Sequence, residues 1–264
     1  KAKLDDEWSA GTNIEVQFES NSSADVTIDQ NAAVIGSDSF TERKLELFFD
    51  SKRLGKLSFG QGDTASNGTA ETDLSGTTIA SKSDLAALGK KIAFTLSGTQ
   101  GTSSGTVVGD MFSNHDGLSR DDRLRYDTPS FSGAKLSTSW VDGDEWDVAL
   151  RYGREFDGVE VALAGSYWDA GPTGQFNGLS TSGSVLLPFG TSLTLAYALR
   201  DSETVGRDDE TFVYAKLGQQ FKVTSLGKTA VSIDYAMTTD QRVNNDEGTG
   251  ISLAAVQKID KLGA

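Results

Sequence analysis

Apolar and polar residues alternate with a period of two along most of the chain, and helical periodicity is almost missing. Over residues 12–19, Ile14, Val16 and Phe18 alternate with Asn13, Glu15, Gln17 and Glu19. Over 43–50, Leu45, Leu47 and Phe49 alternate with Lys44, Glu46 and Phe48. Further runs at 56–61, 122–128, 133–141, 145–156, 159–169, 179–189, 192–201, 211–222, 228–239 and 249–259 bring the predicted strands to twelve. Many of these span 10–12 residues, whereas strands of soluble proteins are most often about 5–6 residues long. Tilted by about 40°, strands of that length rise roughly 25–30 Å, the height of the apolar band of a membrane-spanning barrel.

The connections support the same reading. Tight turns such as Asp157-Gly158 alternate with long connections at 20–42, 62–121, 170–178, 202–210 and 240–248; only 142–144 is short where a long one is expected. Long connections at one end and tight turns at the other are the habit of up-and-down membrane barrels. The chain closes on Lys261-Leu262-Gly263-Ala264, which repeats the turn chemistry of Arg53-Leu54-Gly55-Lys56 and Ser225-Leu226-Gly227-Lys228, so a further strand is expected after it. Within each run one parity is apolar (Trp146, Val148, Leu150, Tyr152) and the other small or charged (Asp147, Ala149, Arg151). A soluble sandwich has the same alternation, and period alone does not separate the two. Aromatic placement does. Trp140, Trp146, Tyr167, Trp168, Tyr197, Phe212, Tyr214 and Tyr235 fall toward the long-connection ends, and Tyr126, Tyr152, Phe156, Phe189 and Phe221 toward the turn ends, with Leu, Val, Ala and Gly between. Two aromatic belts around an aliphatic band are the girdles of a membrane barrel. The run at 211–222 is ambiguous, because Phe212 and Tyr214 oppose Val213, Ala215, Leu217 and Phe221 in parity.

Composition narrows the classes. Of 264 residues, 38 are Asp or Glu and 24 Lys or Arg, for a net charge of −14, which argues against phosphate-backbone binding and hence against a nucleic-acid partner. Cys is absent and His115 is the lone histidine, so disulfides, thiolate metal sites and multi-histidine sites are excluded. Gly101-Thr102-Ser103-Ser104-Gly105 matches a nucleophile-elbow pattern literally, but it lacks the strand–turn–helix context and has only His115 for a base. Neither an enzyme nor a cofactor is expected. The oxygen-rich stretches Asp142-Gly143-Asp144-Glu145 and Asn244-Asn245-Asp246-Glu247-Gly248 lack calcium-loop spacing and read as solvated loop tips, leaving any metal undecided. Residues 62–121 are the longest connection. Short helical turns are predicted there at 69–76 and 83–89, and a small strand at 91–97.

Two stretches resemble the Gram-negative general porins: Phe59-Gly60-Gln61-Gly62-Asp63 leading into the long acidic connection, and 121–133, which carries Arg123-Leu124-Arg125-Tyr126-Asp127-Thr128-Pro129-Ser130-Phe131-Ser132-Gly133. The resemblance implies an all-β, antiparallel up-and-down transmembrane barrel of sixteen strands, about twelve of them visible here, in a chain lacking strands at both ends. Residues 1–264 would form one incomplete barrel domain, with 62–121 the third loop folded into the lumen as a constriction. It implies the outer membrane of a Gram-negative bacterium, a homotrimer, contact with membrane lipid and lipopolysaccharide, and passive diffusion of small hydrophilic solutes and ions. In such a channel, carboxylates on the loop face bases on the wall. By parity and position the pore-lining candidates are Asp63, Glu71 and Asp73 on the loop, and Lys44, Glu46, Arg123, Arg125 and Arg151 on the wall; Glu15, Lys135 and Asp147 share the inward parity. The net charge predicts weak cation preference. A substrate-selective channel, a non-transporting structural barrel and a soluble all-β binding protein are the alternatives.

Overall fold

A computed structural model describes residues 1–19, 24, 26–27, 40–99 and 101–262. Strands β1 (Ala2–Lys3), β2 (Trp8–Phe18), β3 (Phe40–Ser51) and β4 (Gly55–Asp63) precede the long insertion. Strands β5 (Ala93–Thr95) and β6 (Ser103–Val107) and the one-turn helix α1 (Val108–Met111) lie within it. Then come β7 (Arg120–Asp127), β8 (Ala134–Val141), β9 (Glu145–Phe156), β10 (Val159–Asp169), the one-turn helix α2 (Gly171–Gly174), β11 (Phe176–Leu186), β12 (Thr191–Ser202), β13 (Glu210–Thr224), β14 (Gly227–Thr239) and β15 (Glu247–Gln257). Among the described residues, thirteen strands form one antiparallel meander in the order β1-β2-β3-β4-β7 and onward to β15, while β5 and β6 pair only with each other. The sheet is open, with β1 and β15 at its edges.

Fifteen strands are present among the described residues, against about twelve expected. Of the three additional ones, β1 and β6 are too short to carry a legible alternation, and β5 is the small strand expected within the insertion. Strand β11 is displaced three residues toward the N-terminus of the predicted run. Pro188 has no amide to offer the ladder, so the strand ends at Leu186 and the chain turns through Gly190, which donates to Leu187 O at 2.8 Å. Asp157 (φ 49°) and Gly158 (φ 81°) make the two-residue turn from β9 to β10, the left-handed pair that matches the twist of a hairpin. The expected long connection 20–42 falls largely outside the described residues.

The faces of the sheet invert the arrangement of a water-soluble domain. Leu193, Leu195, Tyr197, Val213, Leu217, Ile233 and Tyr235 are exposed on the outer face. On the inner face of the same strands Thr194, Lys216, Ser232 and Asp234 are buried. Among the described residues, 27 buried side chains are polar or charged and 15 are apolar. An exposed stripe of leucines at strand spacing is stable only against an apolar solvent.

Most of the expected belt aromatics, including Trp140, Trp146, Tyr167, Tyr197 and Tyr235, are exposed on the outer face. Trp168, Phe212 and Tyr214 are the exception and correct that expectation: all three are buried. Their parity turns them inward, Phe212 and Tyr214 beneath the insertion and Trp168 against Phe176. Phe212 and Tyr214 stack at 6.3 Å and pack with Ala196, Ala198 and Ala236 beneath Leu85. Trp168 meets Phe176 edge-on at 5.7 Å. The ambiguous run is thereby resolved, with Val213 and Leu217 outward.

Candidate functional site

The insertion leaves β4 at the long-connection end of the sheet and lies on its inner face. Its first contacts are with β8 and β9 near that end. It then descends to Ser182 and Ser184 of β11, Thr194 of β12 and Gln220 of β13, and climbs back to Thr238, next to the end of β14. The descending limb follows the wall in extended and turn conformation. The helical turn predicted at 69–76 is not formed; Thr72 N and Leu74 N donate to Ser182 and Ser184 of the wall, and Ala70 N to Asp116. The turn predicted at 83–89 is present as a 3-10 turn at Leu85–Leu88, and the strand predicted at 91–97 is β5.

At the root of the insertion a carboxylate and three arginines grip the backbone. Asp147, completely buried, accepts from Ser66 N (2.7 Å), Ser66 Oγ (2.6 Å) and Ala65 N (3.3 Å). Arg125 donates to Thr64 O (2.7 Å) and Asp63 O (3.1 Å), and Arg151 to Asn67 O (2.6 Å) and Ala65 O (2.8 Å). Arg123 donates to Gly60 O (2.7 Å), Asp63 O (3.0 Å) and the Glu46 carboxylate. Gly62 makes room for that guanidinium, since a Cβ there would lie 2.7 Å from Arg123 Nη2. A residue with no side chain is therefore required two positions after Gly60, which itself holds φ 104°. Lys44 closes the group, with Nζ 2.5 Å from Asp63 Oδ2.

The middle of the insertion is fastened chiefly by hydroxyls. Thr69 Oγ1 lies 2.7 Å from both Ser166 Oγ and Ser180 Oγ; Thr72 N donates to Ser182 Oγ and Leu74 N to Ser184 Oγ, each at 2.9 Å. Thr77 meets Ser232 (2.8 Å) and Ser81 donates to Asp234 (2.5 Å). One ion pair reinforces this region: Lys216 Nζ reaches Asp73 Oδ2 (2.8 Å) and Ser81 O (2.7 Å), with both side chains almost wholly buried. Removing two ions from water costs several kcal/mol each, so such a pair persists only when both partners stay in place.

The returning limb is held by His115 and Asp116. Gln241 Nε2 donates to His115 Nε2 (2.9 Å), and the Glu210 carboxylate, bound by Arg200 and Arg207, stands 3.6 Å from the ring. Burial, with the Arg200 charge adding to it, depresses His115 to about 3, so the ring is neutral at physiological pH. Asp116 accepts from Gly68 N (2.6 Å) and Ala70 N (2.7 Å). Burial drives its carboxyl up to about 7; the Glu71 charge pushes the same way and the two amide bonds oppose it. Burial also acts to lower Lys82, but Glu71 at 3.3 Å and Asp84 at 3.6 Å outweigh it and hold the ammonium above its usual value.

The eight candidates thus occupy three places. Lys44, Glu46, Asp63, Arg123 and Arg125 form one charged group on β3, β4 and β7 beside the root, with Asp63 as the last residue of β4 rather than a loop residue. Arg151 belongs to the same root from β9. Glu71 lies farther along with Lys82 and Asn114 (3.1 Å), and Asp73 lies with Lys216. The arginines contact backbone carbonyls of the insertion, not the carboxylates of Glu71 or Asp73. Sequence reasoning named Asp147 only by parity and missed Lys216, Asp234, Glu210 and Asp116. The inward parity of Lys216 and Asp234 was a usable signal; nothing local marked Asp116. The two oxygen-rich stretches do not assemble a metal site: no group of three or more potential ligands gathers among the described residues.

A sheet mainly apolar outside and hydrogen-bonded to an insertion inside belongs to the outer-membrane β-barrel proteins. No helix among the described residues is long and apolar enough to cross a membrane, which does not bear on strands. A model of the Gram-negative porin family matches residues 1–262, and the chain belongs to that family. Its location is the outer membrane. Solved structures with a similar fold include in-vitro folded OmpT, an outer membrane protein of Vibrio cholerae (TM-score 0.57, 14% identity, 95% of this chain and 70% of that one). OmpT expressed in the outer membrane of the same organism is also similar (TM-score 0.52, 14% identity, 98% and 85%). No curated protein matches the chain.

Proposed function

We propose that this porin is a passive channel through which small hydrophilic solutes and ions diffuse across the outer membrane. One observation carries the reading: the inner face is lined by charged and hydroxyl side chains while leucine, valine, isoleucine and aromatic side chains dominate the outer face. Polar inward groups serve a water-filled lumen, and an apolar exterior serves lipid. On this reading residues 1–264 contribute one barrel domain, and 62–121 is the insertion that narrows the lumen, its depth fixed by the contacts with β11–β13. Asp63, Glu71, Asp73, Lys44, Glu46, Arg123, Arg125 and Arg151 line that passage or hold its wall. Family membership points to transport rather than catalysis. A homotrimer embedded among lipid and lipopolysaccharide is the assembly proposed with it.

The test is reconstitution of the purified, folded protein in planar bilayers. Stepwise conductance that grows in proportion to salt concentration is expected. A protein that shifts mobility on heating, as folded barrels do, yet gives no conductance steps would make the chain a structural barrel instead. Saturation of the conductance by one solute class would mark a substrate-selective channel.

A further inference from the structure

We propose that residues 72–81 of the insertion form a strap that detaches from the wall as one unit, and that Asp234 is the second partner to which Lys216 turns when it does. The strap is a closed loop. At its neck Ser83 Oγ donates to Ala70 O (2.9 Å) and Lys82 pairs with Glu71 (3.3 Å), so its two ends are tied to each other, as in a compact Ω-loop. Asn114 of the returning limb holds the neck in place by donating to Glu71 (3.1 Å). Beyond the neck, the contacts with the wall are polar. Thr72 N and Leu74 N donate to Ser182 and Ser184, Gln220 donates to Leu74 O, and Thr77 meets Ser232. No apolar side chain of 72–81 is fully buried; Leu74 is half-buried and Ile79 is 81% exposed. The flanks differ, for they bury Ala70 on one side and Phe112 on the other. Water replaces a polar contact at little net cost, and segments with few buried apolar contacts open at the lowest free energy.

The ion pair is what resists opening. Lys216 Nζ is held by Asp73 Oδ2 (2.8 Å) and Ser81 O (2.7 Å), both on the strap, so detachment removes both at once. The wall carries a replacement. Lys216 stands directly opposite Asp234 in the register of β13 and β14, on the same inner face. Side chains so placed begin about 4.5–5.5 Å apart at Cβ, within reach of a lysine. Yet Asp234, only 2% exposed, has no Lys or Arg nitrogen within 4.0 Å among the described residues. Its Oδ2 accepts from Ser81 Oγ (2.5 Å), again on the strap. Its Oδ1 has no hydrogen-bond partner, and the neighbouring Tyr214 hydroxyl has none either. A buried carboxylate left half-satisfied beside an ammonium turned elsewhere is costly. With the strap attached, two carboxylates crowd one ammonium. With the strap detached, Lys216 and Asp234 make a neutral pair on adjacent strands. Asp73 therefore favours attachment and Asp234 opposes it. On the channel reading the detached strap stands in the passage, and detachment is a closing step.

Amide hydrogen exchange of the whole folded protein in lipid reads detachment without any need for conduction. In the wild type Thr72 and Leu74, whose amides bond wall serines, should exchange at one common rate, roughly tenfold or more faster than the strand amides of β12 and β13. Asp73→Asn should speed both amides about tenfold. Asp234→Asn, which keeps an oxygen for Ser81, should slow both several-fold, with the strand amides of β13 unaltered. A second readout uses the absence of cysteine from the chain. Thr77 is fully buried against the wall, so the thiol of a Thr77→Cys variant reacts only when the strap lifts. Its modification should slow several-fold when Asp234→Asn is added. Unequal rates at Thr72 and Leu74, wild-type rates no faster than those of the strands, or an Asp234→Asn that leaves exchange and labelling unchanged or faster would overturn the proposal. In planar bilayers Asp234→Asn should lengthen the conducting dwell time several-fold; an unchanged dwell beside slowed exchange overturns the closing step. Absence of conductance in every variant overturns the channel reading instead, and the exchange result still decides the strap.

Discussion

The two faces of β12–β14 differ by one residue of register and by everything else. Outward, Leu195 and Ile233 stand about half exposed; inward, Lys216 and Asp234 are within 2% of complete burial. In water this arrangement would be unstable twice over, through exposed leucine and through buried charge. It is stable because each face meets a different medium. The outer face is solvated by hydrocarbon. The inner face is solvated by the insertion, whose amides, hydroxyls and carboxylates replace the water that Ser182, Ser184, Ser232 and Lys216 would otherwise bind. A hydrogen bond made this way contributes only modestly to stability, yet an unmade one costs the full desolvation of the orphaned group.

The comparison is broken most sharply at Lys216. Lys216→Met leaves Asp73 buried without its partner and is expected to cost about 3–5 kcal/mol, with Asp73→Leu added to it restoring much of the loss. Denaturant unfolding in lipid vesicles measures both, and a neutral single variant would mean that the pair is wet. On the outer face Leu195→Arg places a charge in mid-strand against hydrocarbon, at an expected cost of roughly 2–4 kcal/mol. Thr194→Ser, one residue away and facing inward with its hydroxyl kept, should cost far less. Equal costs would contradict the assignment of faces.

His115 sharpens the comparison through pH. Its folded pKa lies below the ordinary histidine value, so the stability it contributes is fully present above pH 6.5 and is lost as pH falls toward 3. The loss should grow by about 1.4 kcal/mol per pH unit, or roughly 2 kcal/mol at pH 5. In His115→Gln the slope of unfolding free energy against pH over that window should flatten; an unchanged slope would assign it to other groups. The smallest effect is expected at Ser182, which donates to Thr69 O and accepts from Thr72 N. Ser182→Ala should cost about 1 kcal/mol, seen as faster amide exchange at Thr72 while the strand amides of β11 keep their protection.

Much of the meander was legible because alternation is a local property. Thr229 through Met237 on one parity and Ala230 through Ala236 on the other state both the strand and its faces within a dozen residues. The turns were equally local, as at Asp157-Gly158. The site was less legible, because its partners are distant in the chain. Asp73 and Lys216 are 143 residues apart, and Ser66 and Asp147 are 81 apart; no spacing rule connects them. Parity put Arg123, Arg125 and Arg151 on the inner face but not what they hold. The expectation that they oppose loop carboxylates gave way to arginines bound to loop carbonyls, because the insertion enters at that point and its backbone needs partners first. Trp168, Phe212 and Tyr214 were misplaced for a related reason: position along the strand suggested a belt, and only tertiary neighbours, Leu85 over Phe212 and Tyr214 and Phe176 beside Trp168, make an inward aromatic stable.

What the sequence determined by itself is the solvent of each face. Period-two patterning, uniform strand length and paired aromatic positions describe a ribbon that is apolar on one side and polar on the other, since side chains of a strand alternate whatever the rest of the chain does. What only the tertiary structure decided is how the polar side is satisfied. The insertion could have projected away from the sheet or lain across it, with the same composition in either case. Its path was settled by buried hydroxyls, amides and one ion pair drawn from nine strands and the insertion itself, each requiring a partner that local sequence does not supply.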